Sequence, residues 1–261
     1  SPERLNVQAV YAAPFFNDRS NGPEQGMERS YSEIVRLLDK LHREPDGFAL
    51  KGSRGYLIDI DTPQDSPAAR DLVERGMARP DDDPLYVVAI GAITNVASAL
   101  IMEPRLARKL VVVWLGGQPL THPTAAEFNL MQDVPAVRAV LDSGVPLVTV
   151  PCQGVASHLL TTVPELRECI GGRNALCDTL IDIFAGYSND HFAWAKEIWD
   201  ISTIGLLINP KWVPTTIEPS PLLSDQLTWS RDARRHPISV AYYLYRNPIF
   251  RDMFAKLAAQ Q

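Results

Sequence analysis

Apolar runs alternate with helical spacings along most of this chain. That is the pattern of strand–helix–strand units on a parallel sheet. Leu5 to Ala13 reads as a strand. From Tyr31 to Leu41 the apolar residues Ile34, Leu37, Leu38 and Leu41 recur at helical spacing. Ala68 to Met77 predicts a second helix, with Ser66 as N-cap and Pro67 at the first helical position, and a loop follows at Asp81 to Pro84. Leu85 to Ile90, Leu110 to Leu115 and Leu147 to Val150 are continuous Val/Leu/Ile runs, as in strands covered on both faces. Helices are predicted at Thr94 to Met102 and Pro135 to Asp142. The chain from Val163 through Trp194 to Ile208 reads as mainly helical. The prolines between Pro210 and Pro221 predict a return along the surface, and Val240 to Leu257 reads as closing helices around Asn247-Pro248. The fold class is therefore α/β, an open and mostly parallel sheet with helices on both faces. With no internal repeat and no clear linker, residues 1–261 read as one domain.

Composition narrows the function classes. A chain of 261 residues can bury a substantial core, and 46% hydrophobic with 21% charged residues is ordinary for a globular protein. A net charge of -6 gives no basic footprint for nucleic acid. The short cluster of Arg231, Arg234, Arg235 and His236 reads as solvated surface. No apolar run reaches the length of a membrane span, and no signal peptide is visible. Cys152, Cys169 and Cys177 form no CxxC pair, which fits buried thiols in a reducing cytoplasm.

Ligands of open α/β sheets bind at the carboxyl ends of the strands. Asn17, Ile90-Gly91 and Gly116-Gly117 all fall just after predicted strands, and Glu127 and Asn129 lie in the loop after the last of these. Two apart on an extended segment, Glu127 and Asn129 point to one side. Glu127 is flanked by Ala125, Ala126, Phe128 and Leu130, so its carboxylate is enclosed and needs a partner. Asp133 reads as an N-cap, and Gly91 with Thr94-Asn95 as a turn plus N-cap. His122, His191 and His236 read as solvated or structural.

The ordered set of Ile90-Gly91-Ala92-Ile93-Thr94-Asn95, Trp114-Leu115-Gly116-Gly117, Glu127-Phe128-Asn129 with Asp133, and Ser143-Gly144-Val145-Pro146 resembles the inosine-uridine-type nucleoside hydrolases. Those enzymes cut the bond between a ribose and its base with a bound calcium ion. The resemblance implies that Asn17, Glu127 and Asn129 hold the ribose. It places the Ile90 carbonyl and the Asp200 carboxylate on calcium, and Leu115 against the sugar. Trp199 stands where many relatives carry a histidine that helps protonate the leaving base. It can stack on the base or belong to the core. The implied partner is a small nucleoside, and the implied assembly a homo-oligomer, dimer or tetramer.

One family feature is absent. The aspartate-rich strand-loop that supplies calcium ligands and the water-activating base should precede Ser1 by one helix. The expectation is an N-terminally truncated chain lacking its first strand, with Ser1 to Arg4 as the end of a helix or the loop after it. Neighbouring strands then keep unpaired edges, and Ile90 and Asp200 alone hold calcium poorly. Asp59-Ile60-Asp61, with Asp65 after it, resembles the lost motif but follows Asn17 and reads as a surface connection. The intact protein is expected to hydrolyse a ribonucleoside. The alternatives are a non-catalytic nucleoside or sugar binder that has lost its calcium site, and a protein that keeps only the scaffold.

Overall fold

The computed structural model describes residues 4–260; the expectation for the chain start at Ser1 to Glu3 lies outside them. The elements are β1 (Val10–Tyr11), α1 (Pro23–Lys40), β2 (Ala49–Leu50), α2 (Pro67–Met77), β3 (Leu85–Ala89), α3 (Thr94–Met102) and β4 (Leu110–Leu115). Next come α4 (Phe128–Gln132), α5 (Val134–Asp142), β5 (Leu147–Val150), β6 (Leu160–Thr161), α6 (Val163–Ile170), α7 (Ala175–Ala185) and β7 (Lys196–Glu197). The chain closes with α8 (Ile201–Ile208), β8 (Thr215–Pro219), β9 (Leu222–Leu223), β10 (Trp229–Ser230), β11 (Pro237–Ala241) and α9 (Arg246–Ala258).

The central sheet has the order β3-β4-β5-β11-β8, parallel except for β8. Alternation along β4 divides the core. Val112 and Trp114 face a cluster built with Leu72, Val96 and Val137 of α2, α3 and α5. Val113 and Leu115 face a second cluster with Ile181, Leu206 and Phe250 of α7, α8 and α9. Successive side chains of a strand point to opposite faces, so a run without polar residues is what a strand between two helical layers requires. Among the described residues no helix is long and apolar enough to cross a membrane.

Ser66 caps α2 by accepting from the Ala69 amide at 3.1 Å, with Pro67 behind it. Four readings differ. Of residues 5–13 only Val10–Tyr11 pairs, in parallel with β2 in a separate two-stranded sheet, because the polar Asn6 and Gln8 leave the preceding residues solvated. The carboxyl third holds two strands that sequence spacing had assigned to surface and helix. Ile238 and Val240 alternate with Ser239 as β11, and Thr215–Pro219 adds antiparallel beside it as the edge, where Pro219 is tolerated. The helical run from Val163 breaks first at Gly171 and again after Ala185 at Gly186, and resumes only at Ile201. Thr94 is no cap: Ile93 holds that position, and the buried Thr94 hydroxyl donates to Asp133 at 2.6 Å.

Candidate active site

The chain turns sharply after β4, and the turn builds one wall of a crevice at the carboxyl ends of the strands. Gly117 has φ 72°, and a Cβ there would meet the Trp229 indole at 3.0 Å, so conformation and space both demand glycine. Its amide donates to Glu127 Oε2 at 2.9 Å. Glu127 is the extended N-cap of α4 and also accepts from the amides of Asn129 (3.0 Å, Oε1) and Leu130 (3.2 Å, Oε2). A carboxylate accepts about four hydrogen bonds. Oε2 is filled by two amides, so its remaining capacity lies on Oε1. The enclosed carboxylate expected from sequence thus finds its partners in backbone amides, but only Glu127 is extended, and Asn129 lies in the helical turn that follows.

Asn129 is buried in that turn and donates Nδ2 to the Leu115 carbonyl at 2.9 Å, which leaves Oδ1 without a protein donor among the described residues. Leu115 itself lies in the core, its side chain 1% exposed. Asp133 caps α5 through the Ala136 amide (3.0 Å). It also accepts from the Leu57 amide and the Thr94 hydroxyl, while burial raises its carboxyl above the usual range.

Cys152 follows β5 and donates its amide to the Gly117 carbonyl at 3.0 Å. Burial pushes its thiol up, as do the charges of Glu127, Asp200 and Glu197 and a hydrogen bond to Glu127. The Cys152 backbone ties the end of β5 to the turn after β4. Sequence spacing registered Cys152 only as a buried thiol. Its place directly after a strand end, as for Gly117, was the signal.

Asp200 opens α8 without capping it: its side chain accepts no amide of the helix. The carboxylate keeps solvent contact although protein packs around it, the situation of a group on the floor of an open crevice. Burial raises its carboxyl to about 6, the Lys196 charge opposes the shift and Glu127 adds to it. Ile90 directly follows β3, is 49% exposed, and its carbonyl accepts no hydrogen bond among the described residues.

The opposite wall is the loop after β1. Asn17 accepts the Arg19 amide on Oδ1 at 2.8 Å, the turn geometry expected of an asparagine there. Gln132 of α4 grips the same loop, accepting from the Phe16 amide (2.7 Å) and donating to the Phe16 carbonyl (3.3 Å). Asn17 is thereby tied to the helix that carries Asn129. Trp199 is half-buried and packs against the second core cluster. His122 Nδ1 lies 3.0 Å from the Thr124 carbonyl, and His191 Nε2 lies 2.9 Å from the Ala185 carbonyl. His236 precedes β11 at the far end of the sheet, its buried Nε2 without a partner among the described residues. Asp59 accepts the amides of Asp61 and Thr62 in an exposed turn, and Asp65 pairs with Arg70, so neither belongs to the crevice.

Calcium takes six to eight oxygen ligands. The Ile90 carbonyl and Asp200 carboxylate fit it in kind but supply part of a shell. Among the described residues no group of three or more His, Cys, Asp or Glu side chains could hold a metal ion.

The sequence pattern of the inosine-uridine preferring nucleoside hydrolases matches residues 19–243. The pyrimidine-specific ribonucleoside hydrolase RihA of Klebsiella pneumoniae strain 342 is 31% identical over 248 residues, covering 84% of this chain and 75% of RihA. A putative pyrimidine-specific ribonucleoside hydrolase RihB of Shigella boydii is 27% identical over 57% of this chain and 63% of its own. Among solved structures, the plant nucleoside hydrolase PpNRh1 superposes with a TM-score of 0.72 at 16% identity over 89% of this chain and 87% of its own. The purine-preferring ribonucleoside hydrolase of Gardnerella vaginalis does so with a TM-score of 0.68 at 18% identity, over 90% and 86%. With the pattern spanning most of the sequence and a relative 31% identical over 84% of it, the chain belongs to the inosine-uridine preferring nucleoside hydrolase family and is a hydrolase of that family.

Proposed function

We propose that this chain binds a ribonucleoside in the crevice and cleaves its N-glycosidic bond with water, giving ribose and free base. The observation that carries the reading is the turn at the carboxyl end of β4, where three amides fix Glu127 and the buried Asn129 keeps Oδ1 without a protein donor among the described residues. Asn129 Oδ1 and the open position on Glu127 Oε1 accept ribose hydroxyls, and Asn17 closes on the sugar from the other wall. Trp199, next to Asp200, stacks on the base. The pyrimidine-specific names of the similar RihA and RihB make uridine and cytidine the first substrates to try.

The Ile90 carbonyl and Asp200 carboxylate would hold calcium. Bound there, the ion would acidify a water and engage the sugar diol. The protein's own groups bind and orient the ribose. A carboxyl raised to about 6 is ionised at neutral pH and free of any capping bond, as a cation ligand must be. The three free cysteines suit a reducing compartment. A homo-oligomer is the assembly to look for by size-exclusion chromatography with light scattering.

The second reading is a nucleoside binder without turnover, favoured by the short count of metal donors. Release of reducing sugar from uridine, cytidine and inosine, with and without calcium, separates the two. Calcium-dependent release supports the hydrolase. Stoichiometric binding with no release supports the binder, and absence of both sinks both readings.

A further inference from the structure

Phe16, the residue before Asn17, is held by a side chain. Its amide donates to Gln132 Oε1 at 2.7 Å, and Gln132 Nε2 donates to its carbonyl at 3.3 Å. The Tyr56 hydroxyl also donates to Gln132 Oε1. Two donors thus meet the oxygen and an acceptor meets the nitrogen. This network fixes the orientation of the Gln132 amide, since a flipped group would set its NH2 against an N–H and an O–H. It also selects the residue type. A glutamate would turn an ionised oxygen on the Phe16 carbonyl, an asparagine is one methylene short, and an apolar side chain offers neither bond. The Phe16 side chain is 55% exposed, so packing does not replace the hold.

The loop on either side of Phe16 is fastened differently. Before it, the Phe15 carbonyl accepts from the Ser20 hydroxyl at 3.0 Å and lies so close to α1 that a Cβ on Gly26 would stand 1.9 Å from its oxygen. After it, Asn17 Oδ1 is taken by the Arg19 amide, which leaves Nδ2 as the group that can reach a ligand. Arg19 itself ends on the surface. Its Nη1 lies 3.3 Å from the hydroxyl of half-exposed Tyr187 and its guanidinium 4.8 Å from that ring's centroid, a weak contact at an exposed site. Gln132 therefore supplies the firm hold on Asn17 from the other wall. It is the last residue of α4, three on from Asn129. Asp133, next in the chain, accepts the Leu57 amide at 3.0 Å and so ties down the segment that carries Tyr56. One short helix thus bears both the Asn129 amide and the anchor of Asn17.

We infer that Gln132 is a positioning residue of the riboside site: by gripping both backbone groups of Phe16 it holds Asn17 in register with Asn129, so that the two amides meet one sugar. The inference deepens the riboside reading of the crevice and rests on it, and its test keeps the two apart. A loop that reaches its binding geometry only part of the time lowers the apparent affinity by that fraction. Isothermal titration of the full chain with uridine, cytidine and inosine in calcium-containing buffer reads this. Gln132→Ala and Gln132→Met, the second keeping length and bulk, should each weaken binding about tenfold, as for a loop competent about one-tenth of the time. Asn17→Ala should weaken binding at least as much. Adding Gln132→Met to Asn17→Ala should cost nothing further, because a residue that acts through another has no effect once the other is gone. A full additional loss in the double variant assigns the effect to Asn129 or to the fold and overturns the inference. Unchanged affinity in Gln132→Met overturns it too, while the riboside reading stands. Absence of binding of all three nucleosides by the unmodified chain refutes both.

Discussion

Two helix starts border the crevice, and each carries an acidic side chain. At α4, Glu127 spends its carboxylate on three backbone amides. At α8, Asp200 stands at the same kind of position and caps nothing. The first carboxylate is fixed by the fold and fixes it in return. The second is solvated on one side, raised to about 6 and uncommitted. A group that the fold does not use and yet keeps in an unfavourable ionisation is a group available to a ligand.

The hardest blow to this contrast is Glu127→Ala. It strands the Gly117 amide and removes an N-cap, so stability should fall by on the order of 3 kcal/mol in denaturant unfolding. A change under about 0.5 kcal/mol, the range of ordinary surface substitutions, would mean the carboxylate is no structural clamp. Asp133→Ala, which frees the Leu57 and Ala136 amides and the Thr94 hydroxyl, should cost about 2 kcal/mol by the same measurement. Asp200→Ala should leave the thermal midpoint unchanged or raised while abolishing calcium binding in calorimetry, and an unaltered calcium affinity removes Asp200 from that role.

A pH series sharpens the same contrast. The folded Asp200 holds its proton where the unfolded chain has released it, so between about pH 4 and pH 6 the folded state binds more protons. The stability contributed by this residue is present at the acid end and lost as pH rises through 6, and Asp200→Asn should flatten that slope. Calcium affinity should run the other way, falling about tenfold per pH unit below 6 as a proton competes for the ligand. The smallest effect is expected from Trp199→Phe. A raised KM with an unchanged melting temperature fits stacking on the base, whereas a lowered melting temperature with unchanged KM assigns the indole to the core.

Continuous apolar runs made β3, β4 and β5 legible, because a strand between two helical layers has no polar face to disguise it. The N-caps Ser66 and Asp133 were legible for a local reason: the bond they make is to an amide three residues on. β11 was not, since Ser239 interrupts its apolar character and its pairing partners lie far off in sequence. In the crevice, sequence order supplied Glu127, Asn129 and Asp200. It could not supply the Gly117 amide that Glu127 grips, the Cys152 amide that meets the Gly117 carbonyl, or the hold of Gln132 on Phe16. Each of these is a contact between segments that only the folded sheet brings together.

Gln132 grips both the amide and the carbonyl of Phe16, as a neighbouring strand would. A side chain here does the work of a ladder, and it couples the motions of two segments that are remote in sequence. The Phe16 amide and the Met131 amide, bonded to the Glu127 carbonyl, should then exchange with solvent hydrogen in the same opening event. Whatever ligand closes on one wall slows the breathing of the other.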